Sequence, residues 1–446
     1  MKYTTNYKGR YLYIFFLVLA LIIGFVLRFN WIMHWKDRGW LHDEYYLCHV
    51  PAENAFNGKG FAPDAEASLV HGIWVAPPMQ SFFLFTIYKI AGTILHPIWP
   101  KMIQLCLSMV GLLICAAIGK RLVSPLAGII FAFMVAVFPD FVYWTEALQT
   151  ENNYLFGLTL LLYLLLFWNK NPKPFNAFVA SLCLGLLTLQ RGNSLLLGPA
   201  LALFALFAFK ETRTRFCALI FLIVPFFVLL PWLARNLEKY QEPILVCSIA
   251  GLQLHLGNRL NYSPIKTPYI FKEMNENKNH NVLIPEIEEK CRAKDGNPGP
   301  YNFIGTLKTT GYKYSSMYQK AALSYIFNHP IHSLKNYALK MFNQFYLIQD
   351  GKRIAVPFLN YKRVYRLLHR IILFGGFAGL FLLLVWGMSR DLYLIATVFA
   401  YYAGTGALFS LSMDGRFNLY LKLFLMIFLA SGFDLLFHKI KARFKT

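Results

Sequence analysis

Ten runs of predominantly apolar residues dominate the chain, each near the ~20 residues a helix needs to cross a bilayer. They fall at 11–29, 102–118, 124–143, 153–168, 175–190, 194–209, 216–234, 368–387, 392–411 and 418–437. Backbone groups inside a bilayer have no water to bond, so spanning segments of this length are helices. The 446 residues are 57% hydrophobic and only 15% charged, where soluble domains carry roughly 25% charge. That balance excludes a water-soluble enzyme, a disordered tail and a coiled coil. The expected fold class is an all-α polytopic membrane protein.

An eleventh stretch, 79–95, is shorter and carries Lys89. Whether it spans decides the side of every later loop, and charge distinguishes the two cases. If it does not span, the basic N-terminus (Lys2, Lys8, Arg10) shares one side with Lys120/Arg121, Lys170/Lys173, Lys210/Arg213/Arg215, Arg390 and the tail Lys439/Lys441/Arg443/Lys445. Lys and Arg concentrate in short cytoplasmic loops, so this arrangement is the expected one: both termini inside and 79–95 an interfacial helix. Lys362, Arg363, Arg366 and Arg370 then precede the eighth span on the outer side, against the rule. The net charge of +22 thereby reads as orientation signal, and no nucleic-acid partner is expected. The first run is too long for a signal peptide and lacks a small-residue cleavage site; it reads as a signal-anchor.

The organisation expected is an N-terminal transmembrane module over 1–234, containing a first outer loop at 30–101 with interfacial helices. A small mixed outer domain follows at 235–366, then C-terminal transmembrane helices and a basic tail at 367–446. Seven cysteines make no disulfide framework, although Cys247 and Cys291 both fall in the outer domain and could pair. No zinc-type spacing occurs. Asn261-Tyr262-Ser263 is a formal glycosylation sequon of low specificity.

With this topology, charged residues from five separated segments meet one boundary. The first outer loop brings His42-Asp43-Glu44-Tyr45-Tyr46, and the third run ends with Asp140, Glu146 and Glu151 in FPDFVYWTEALQTE. The fifth ends at Arg191, the seventh at Arg235-Asn236, and the tenth is preceded by Asp414 and Arg416. Any one of these could simply snorkel or cap a helix; together they suggest a functional surface, because intramembrane charge is costly and marks pathways or sites. The set suits transfer of a sugar from a lipid phosphate. One carboxylate accepts the proton of an acceptor hydroxyl, and guanidinium groups hold the departing phosphate by charge-assisted bonds. Two carboxylates could instead bind a divalent cation, with Asp43 and Glu151 as its ligands. Residues alone leave Asp140, Glu146 and Glu151 in competition for the second acid. In loop one His42 and His71 could contact substrate or metal, and Tyr45, Tyr46 and Trp74 could stack on a sugar, although such histidines are more often solvated and such rings structural.

Several stretches, in order, carry a family resemblance: DEYYLCHVPAENAFNGKGF, the APP before 79, FPDFVYWTEALQTE, GLLTLQRGN, PWLARN followed by HLGNRL, AALSYIFNHP and GRFNLYLKLFLMIFLA. The chain resembles the GT-C glycosyltransferases, in the bacterial branch similar to protein O-mannosyltransferases and the lipid A aminoarabinose transferase. The resemblance implies an inverting transferase using a polyprenyl-phosphate sugar, with Asp43 as base, Glu44 beside it and Glu151 as second acid. Arg191, Arg235 and Arg416 would serve the donor phosphate; Asn236, Tyr46 and His71 are further substrate-binding candidates. Gly192 stands where related chains often have Pro, and Asp414-Gly415 replaces a bulkier run; both departures bear on substrate more than on reaction.

The partners expected are a polyprenyl-phosphate sugar, membrane lipids and an acceptor glycolipid, glycan or protein. The location expected is the cell membrane, with the site on the outer face. A transporter or flippase of lipid-linked saccharides would also use arginines and carboxylates, but transporters tend to show internal repeats and midplane charges, which this sequence lacks. A surface polysaccharide polymerase or ligase shares the outer-face chemistry and stands as a further alternative.

Overall fold

A computed structural model describes residues 7–41, 44–61, 76–248, 250–259, 316–346, 361–409 and 415–443. The helices are α1 (Tyr7–His34), α2 (Val50–Phe56), α3 (Met79–Ala91), α4 (Ile98–Leu122), α5 (Pro125–Val137) and α6 (Pro139–Glu146). They continue with α7 (Thr150–Lys170), α8 (Pro174–Gln190), α9 (Leu197–Ala208), α10 (Thr212–Tyr240) and α11 (Ala250–Arg259). The last are α12 (Pro330–Tyr346), α13 (Tyr361–Trp386), α14 (Arg390–Phe409) and α15 (Gly415–Arg443). Residues 316–328 are also helical, and no strand occurs among the described residues. The fold is thus all-α and polytopic. Of the expected mixed outer domain, 260–315 and 347–360 lie outside the described residues, and the described remainder holds α11, 316–328 and α12.

Local chemistry sets the boundaries. Pro125, Pro139 and Pro174 each open a helix, where the missing N–H of proline is harmless. Ser124 caps α5 by accepting from the N–H groups of Leu126 and Ala127. Pro139 also splits the third apolar run, bending α6 by 55° from α5 because it cannot continue the ladder of α5. By length and composition six described helices can cross a membrane, or seven with the bent pair taken as one span. Over their described residues the ten apolar runs are nevertheless mainly helical; α8 and α9 are shorter because the Arg191–Leu196 turn interrupts them.

Side-chain contacts give the direction of the helices. Arg28 of α1 donates to Ser108 of α4, and to the carbonyls of Val135 and Ala136 of α5, while Lys120 at the other end of α4 lies over the ring of Tyr13. So α1 and α4 are antiparallel, and loop one leaves and returns at the same end. The intervening α3 is 13 residues long, shorter than a crossing, and packs its Leu84, Ile87 and Tyr88 against Cys48 and Ala52 of loop one. At the opposite end of the bundle Arg121 donates to the Leu166 carbonyl, Arg390 to that of Asn169 and Arg215 to that of Phe209. The short-loop cations therefore gather at the end away from loop one.

The core is one continuous apolar cluster running from Leu112 on α4 through α7, α8 and α9 to α15. Close crossings among the described helices depend on glycine because backbone approaches backbone. A Cβ on Gly128 would stand 2.4 Å from the Ala116 carbonyl oxygen, and one on Gly432 2.4 Å from Gly379. Van der Waals packing at small-residue contacts supplies helix association where lipid removes the hydrophobic drive.

Candidate active site

The site is assembled around the turn between α6 and α7, residues 147–149, which three buried polar side chains from three elements hold from outside. Glu44 accepts the N–H of Leu148 at 3.0 Å and that of Leu41 at 3.0 Å. Gln80, at the start of α3, donates to the Leu148 carbonyl at 3.3 Å. Gln104 of α4 donates to the carbonyls of Trp144, Thr145 and Ala147, the last at 2.7 Å. A helix end breaking into a turn leaves carbonyls without intrahelical partners, and Gln104 satisfies them. Gln80 also accepts from Asn153 and Gln190 at 3.0 Å each, joining α3 to α7 and α8. Loop one is thereby fastened to the turn that leads into Glu151.

The acidic residues divide by partner. Glu146 is buried between Lys101 at 2.7 Å and Arg38 at 2.8 Å. Asp140 is paired with Lys422 of α15 and accepts from the Tyr365 hydroxyl of α13 at 3.1 Å. Both carboxylates tie elements together. Glu151, in the first turn of α7, meets Arg191 at 3.3 Å, with the arginine side chain 13% exposed and the glutamate 2%. Of the three competing acids, Glu151 is the one that stands beside a sequence-predicted arginine.

Arg191 follows the last residue of α8 in extended conformation and opens the Gly192–Ser194 turn. That turn is locked by hydroxyls: Tyr154 and Tyr402 share a bond at 2.8 Å, and Ser194 bonds both, at 2.8 and 3.0 Å. The Tyr401 hydroxyl donates to the Asn193 carbonyl and accepts from the Leu196 N–H. The guanidinium lies 5.7 Å from the Tyr154 ring. Helix α14 from the C-terminal region therefore fixes the position of an N-terminal arginine.

The remaining predicted residues are placed as follows. Arg235 donates to the Phe61 carbonyl and to Asn236 Oδ1, and stacks over Trp232 at 4.6 Å and Tyr240 at 5.3 Å. Asn236 donates to the Ile244 carbonyl at 2.8 Å, closing the turn after α10. Arg235 thereby holds the Phe61 carbonyl of loop one. Tyr46 lies in the π-helical turn Tyr45–His49, its ring edge-on to Tyr45 at 5.0 Å. Asp43, His42, His71, Trp74, Cys291, Asn261 and Asp414 lie outside the described residues, as does the side chain of Arg416. Sequence reading missed Gln80, Gln104, Lys101, Ser194, Tyr154 and Tyr402. The available signal was polar side chains inside or at the edge of apolar runs.

Burial sets the electrostatics of loop one. It raises the Glu44 carboxyl above the ordinary glutamate value, an effect partly opposed by the Leu41 N–H and by Lys101. It lowers His49 to about 4; the ring stacks on Trp40 at 4.3 Å and bonds the Tyr88 hydroxyl at 2.9 Å. Among the described residues no three His, Cys, Asp or Glu side chains gather as a metal site, and Glu151 is already engaged by a cation. A guanidinium held in this way by Glu151 can bind a phosphate through charge-assisted bonds.

A sequence-family model of the dolichyl-phosphate-mannose-protein mannosyltransferases matches residues 75–234. Comparison with curated proteins gives no match. Among solved structures the fold is similar to the archaeal oligosaccharyltransferase AglB of Archaeoglobus fulgidus in complex with an inhibitory peptide and a dolichol-phosphate, at TM-score 0.56 and 15% identity. That alignment covers 98% of this chain and 52% of AglB, so the chain spans about half the length of its structural relative. The same oligosaccharyltransferase tethered to an acceptor peptide containing an NVT sequon aligns with TM-score 0.53 and 14% identity, over 97% of this chain and 50% of that one. The family match covers less than half of this chain, and the likeness to the oligosaccharyltransferase, at 14–15% identity, is one of fold.

Proposed function

We propose that the protein is an inverting glycosyltransferase that moves a sugar from a polyprenyl-phosphate donor to an extracytoplasmic acceptor, a glycolipid, glycan or protein. It works in the cell membrane, with loop one on the outer face and both termini inside. The observation that carries this reading is the Glu151–Arg191 pair, set in hydrogen-bonded turns at the end of the bundle where loop one is fastened. The dolichol-phosphate in the AglB complex supports a lipid-linked donor.

In this reaction Asp43 takes the proton of the acceptor hydroxyl as its oxygen attacks the anomeric carbon. The bond from that carbon to the phosphate oxygen breaks, and polyprenyl phosphate leaves with the electron pair. A phosphate leaving group needs no strong acid, so cations suffice. Arg191 receives the phosphate by charge-assisted bonds, Glu151 aims the guanidinium, and Arg416 is a second cation for the same phosphate. Glu44 positions its neighbour Asp43 through Leu148. Arg235 keeps loop one seated and Asn236 holds its guanidinium, and Tyr46 and His71 serve as further substrate contacts.

The test is turnover by the purified full chain in lipid nanodiscs, given a polyprenyl-phosphate monosaccharide and candidate acceptors. Acceptor-dependent release of polyprenyl phosphate is expected. Asp43→Asn should lower it by about 10²–10⁴-fold, the range for a general base, while the thermal unfolding temperature stays unchanged. Full activity in that variant removes Asp43 as base; lipid translocation without sugar transfer establishes the flippase reading instead.

A further inference from the structure

Residues 316–346 fall in the region expected to be an outer soluble domain, yet their side chains are arranged the wrong way round for water. Leu323 and Phe327 are exposed on the helical stretch 316–328, and beyond the bend at His329 the residues Ile331, Leu334 and Phe342 are exposed on one side of α12, which also carries exposed Lys335. Exposure reaches 78% at Phe327, 84% at Ile331, 68% at Leu334 and 55% at Phe342. The opposite face of α12 is polar and buried, with Ser333, Asn336, Lys340, Asn343 and Gln344 all turned inward. A helix on a soluble domain presents the reverse pattern.

The buried face shows where α12 sits. Asn336 donates to the Asn258 carbonyl of α11, Lys340 to the Leu408 carbonyl and Gln344 to the Ala403 carbonyl of α14. Phe345 then meets Phe399 at 6.0 Å and Phe377 of α13 at 5.2 Å. Contacts on α14 thus pass from Leu408 to Phe399 as α12 advances from 340 to 345. So α12 runs antiparallel to α14 and ends beside the middle of a membrane-length helix (Arg390–Phe409). Its C-terminal end meets α13 through Phe345 and Phe377, and on α13 Leu367, Ile371 and Phe374 are exposed as well. A side chain exposed at that depth meets lipid.

We propose that 316–346 is a membrane-inserted element. Its apolar face lies against the acyl chains of the leaflet at the loop-one end, and its polar face serves as the contact to α11 and α14. Depth increases along it, from Phe327 at the interface to Phe342 in the hydrocarbon. This inference is independent of the catalytic reading, because it requires only that α13 and α14 cross the membrane.

The test uses the full chain in phosphatidylcholine–phosphatidylglycerol nanodiscs, with native cysteines replaced and spin labels at Phe327→Cys, Ile331→Cys, Leu334→Cys and Phe342→Cys. Accessibility to oxygen relative to a polar nickel chelate should rise in that order, and be several-fold higher at 342 than at Lys320→Cys. High chelate accessibility at all four sites would show a soluble domain and overturn the proposal. Protection from both reagents would show a protein partner and overturn it equally. A second measurement avoids the cysteine background: Ile331→Asp with Leu334→Asp lowers the unfolding temperature in nanodiscs if the face is lipid-bound. An unchanged or raised value overturns the proposal.

Discussion

Arg191 and Glu151 show how a single ion pair divides into roles that kinetics can separate. Arg191→Ala is expected to lower kcat/KM for the polyprenyl-phosphate sugar by about 10²–10³, the cost of losing one transition-state donor. Glu151→Gln keeps an oxygen to accept from Arg191 while removing the charge. A loss of about tenfold or less would fit an aiming role, whereas a loss equal to that of Arg191→Ala would make Glu151 a direct participant. His49 gives a pH dependence with a definite sign. Its folded value of about 4 lies below the ordinary 6.5, so below pH 6.5 the unfolded loop binds the extra proton more readily than the folded one. Stability of loop one is therefore complete above 6.5 and is lost as pH falls toward 4. Limited proteolysis at Lys59 should accelerate between pH 7 and pH 5, and His49→Gln should flatten that response.

At the scale of elements, the α6–α7 turn is where polar side chains substitute for helical hydrogen bonds. Gln104 serves three carbonyls of residues 144–147, and Asn152 donates back to the Gln104 carbonyl at 3.1 Å. Gln104→Leu preserves the apolar stem and strands those carbonyls. The expected cost is about 1–3 kcal/mol, the penalty for a buried acceptor left without a donor. It should be read as a lower unfolding temperature and faster amide exchange at 147–152, with α14 and α15 unaffected. In the sequence, where 124–143 reads as one span, neither the bend at Pro139 nor this turn was foreshadowed. Nor was the hub at Gln104, because a glutamine near the start of a span reads equally well as an interfacial polar residue.

Across the whole molecule, the Asp140–Lys422–Tyr365 cluster joins the bent α5–α6 pair to α13 and α15. A buried ion pair loses about 3–5 kcal/mol when one partner is removed, and little when both become neutral and well packed. Lys422→Met is thus expected to destabilise by that amount in nanodiscs, and Asp140→Asn combined with Lys422→Met to recover most of it. Failure of the double variant to recover would mean the cluster needs its charge for more than mutual neutralisation. The same logic applies to Glu146, shared by Arg38 and Lys101. Its two cations leave it neutralised in place, so it belongs to the scaffold that presents the Glu151–Arg191 pair.

The sequence by itself determined the class of fold, because apolar runs of bilayer length have only a helical solution in lipid. It also determined which loops share an end: Lys120, Arg121, Lys170, Arg215 and Arg390 are visible as short-loop cations without any structure. The order of motifs named the acids and arginines near one boundary. Only the tertiary structure decided which of them meet. Asp140, Glu146 and Glu151 look equivalent in sequence, and they differ solely in the cation each finds: Lys422, Lys101 with Arg38, or Arg191. Those partners lie 40 to 282 residues away along the chain. The inversion of α12 has the same cause. Its amphipathic period is legible in one dimension, but which face is turned inward depends on the polar groups offered by α11 and α14, and those are brought beside it only by folding.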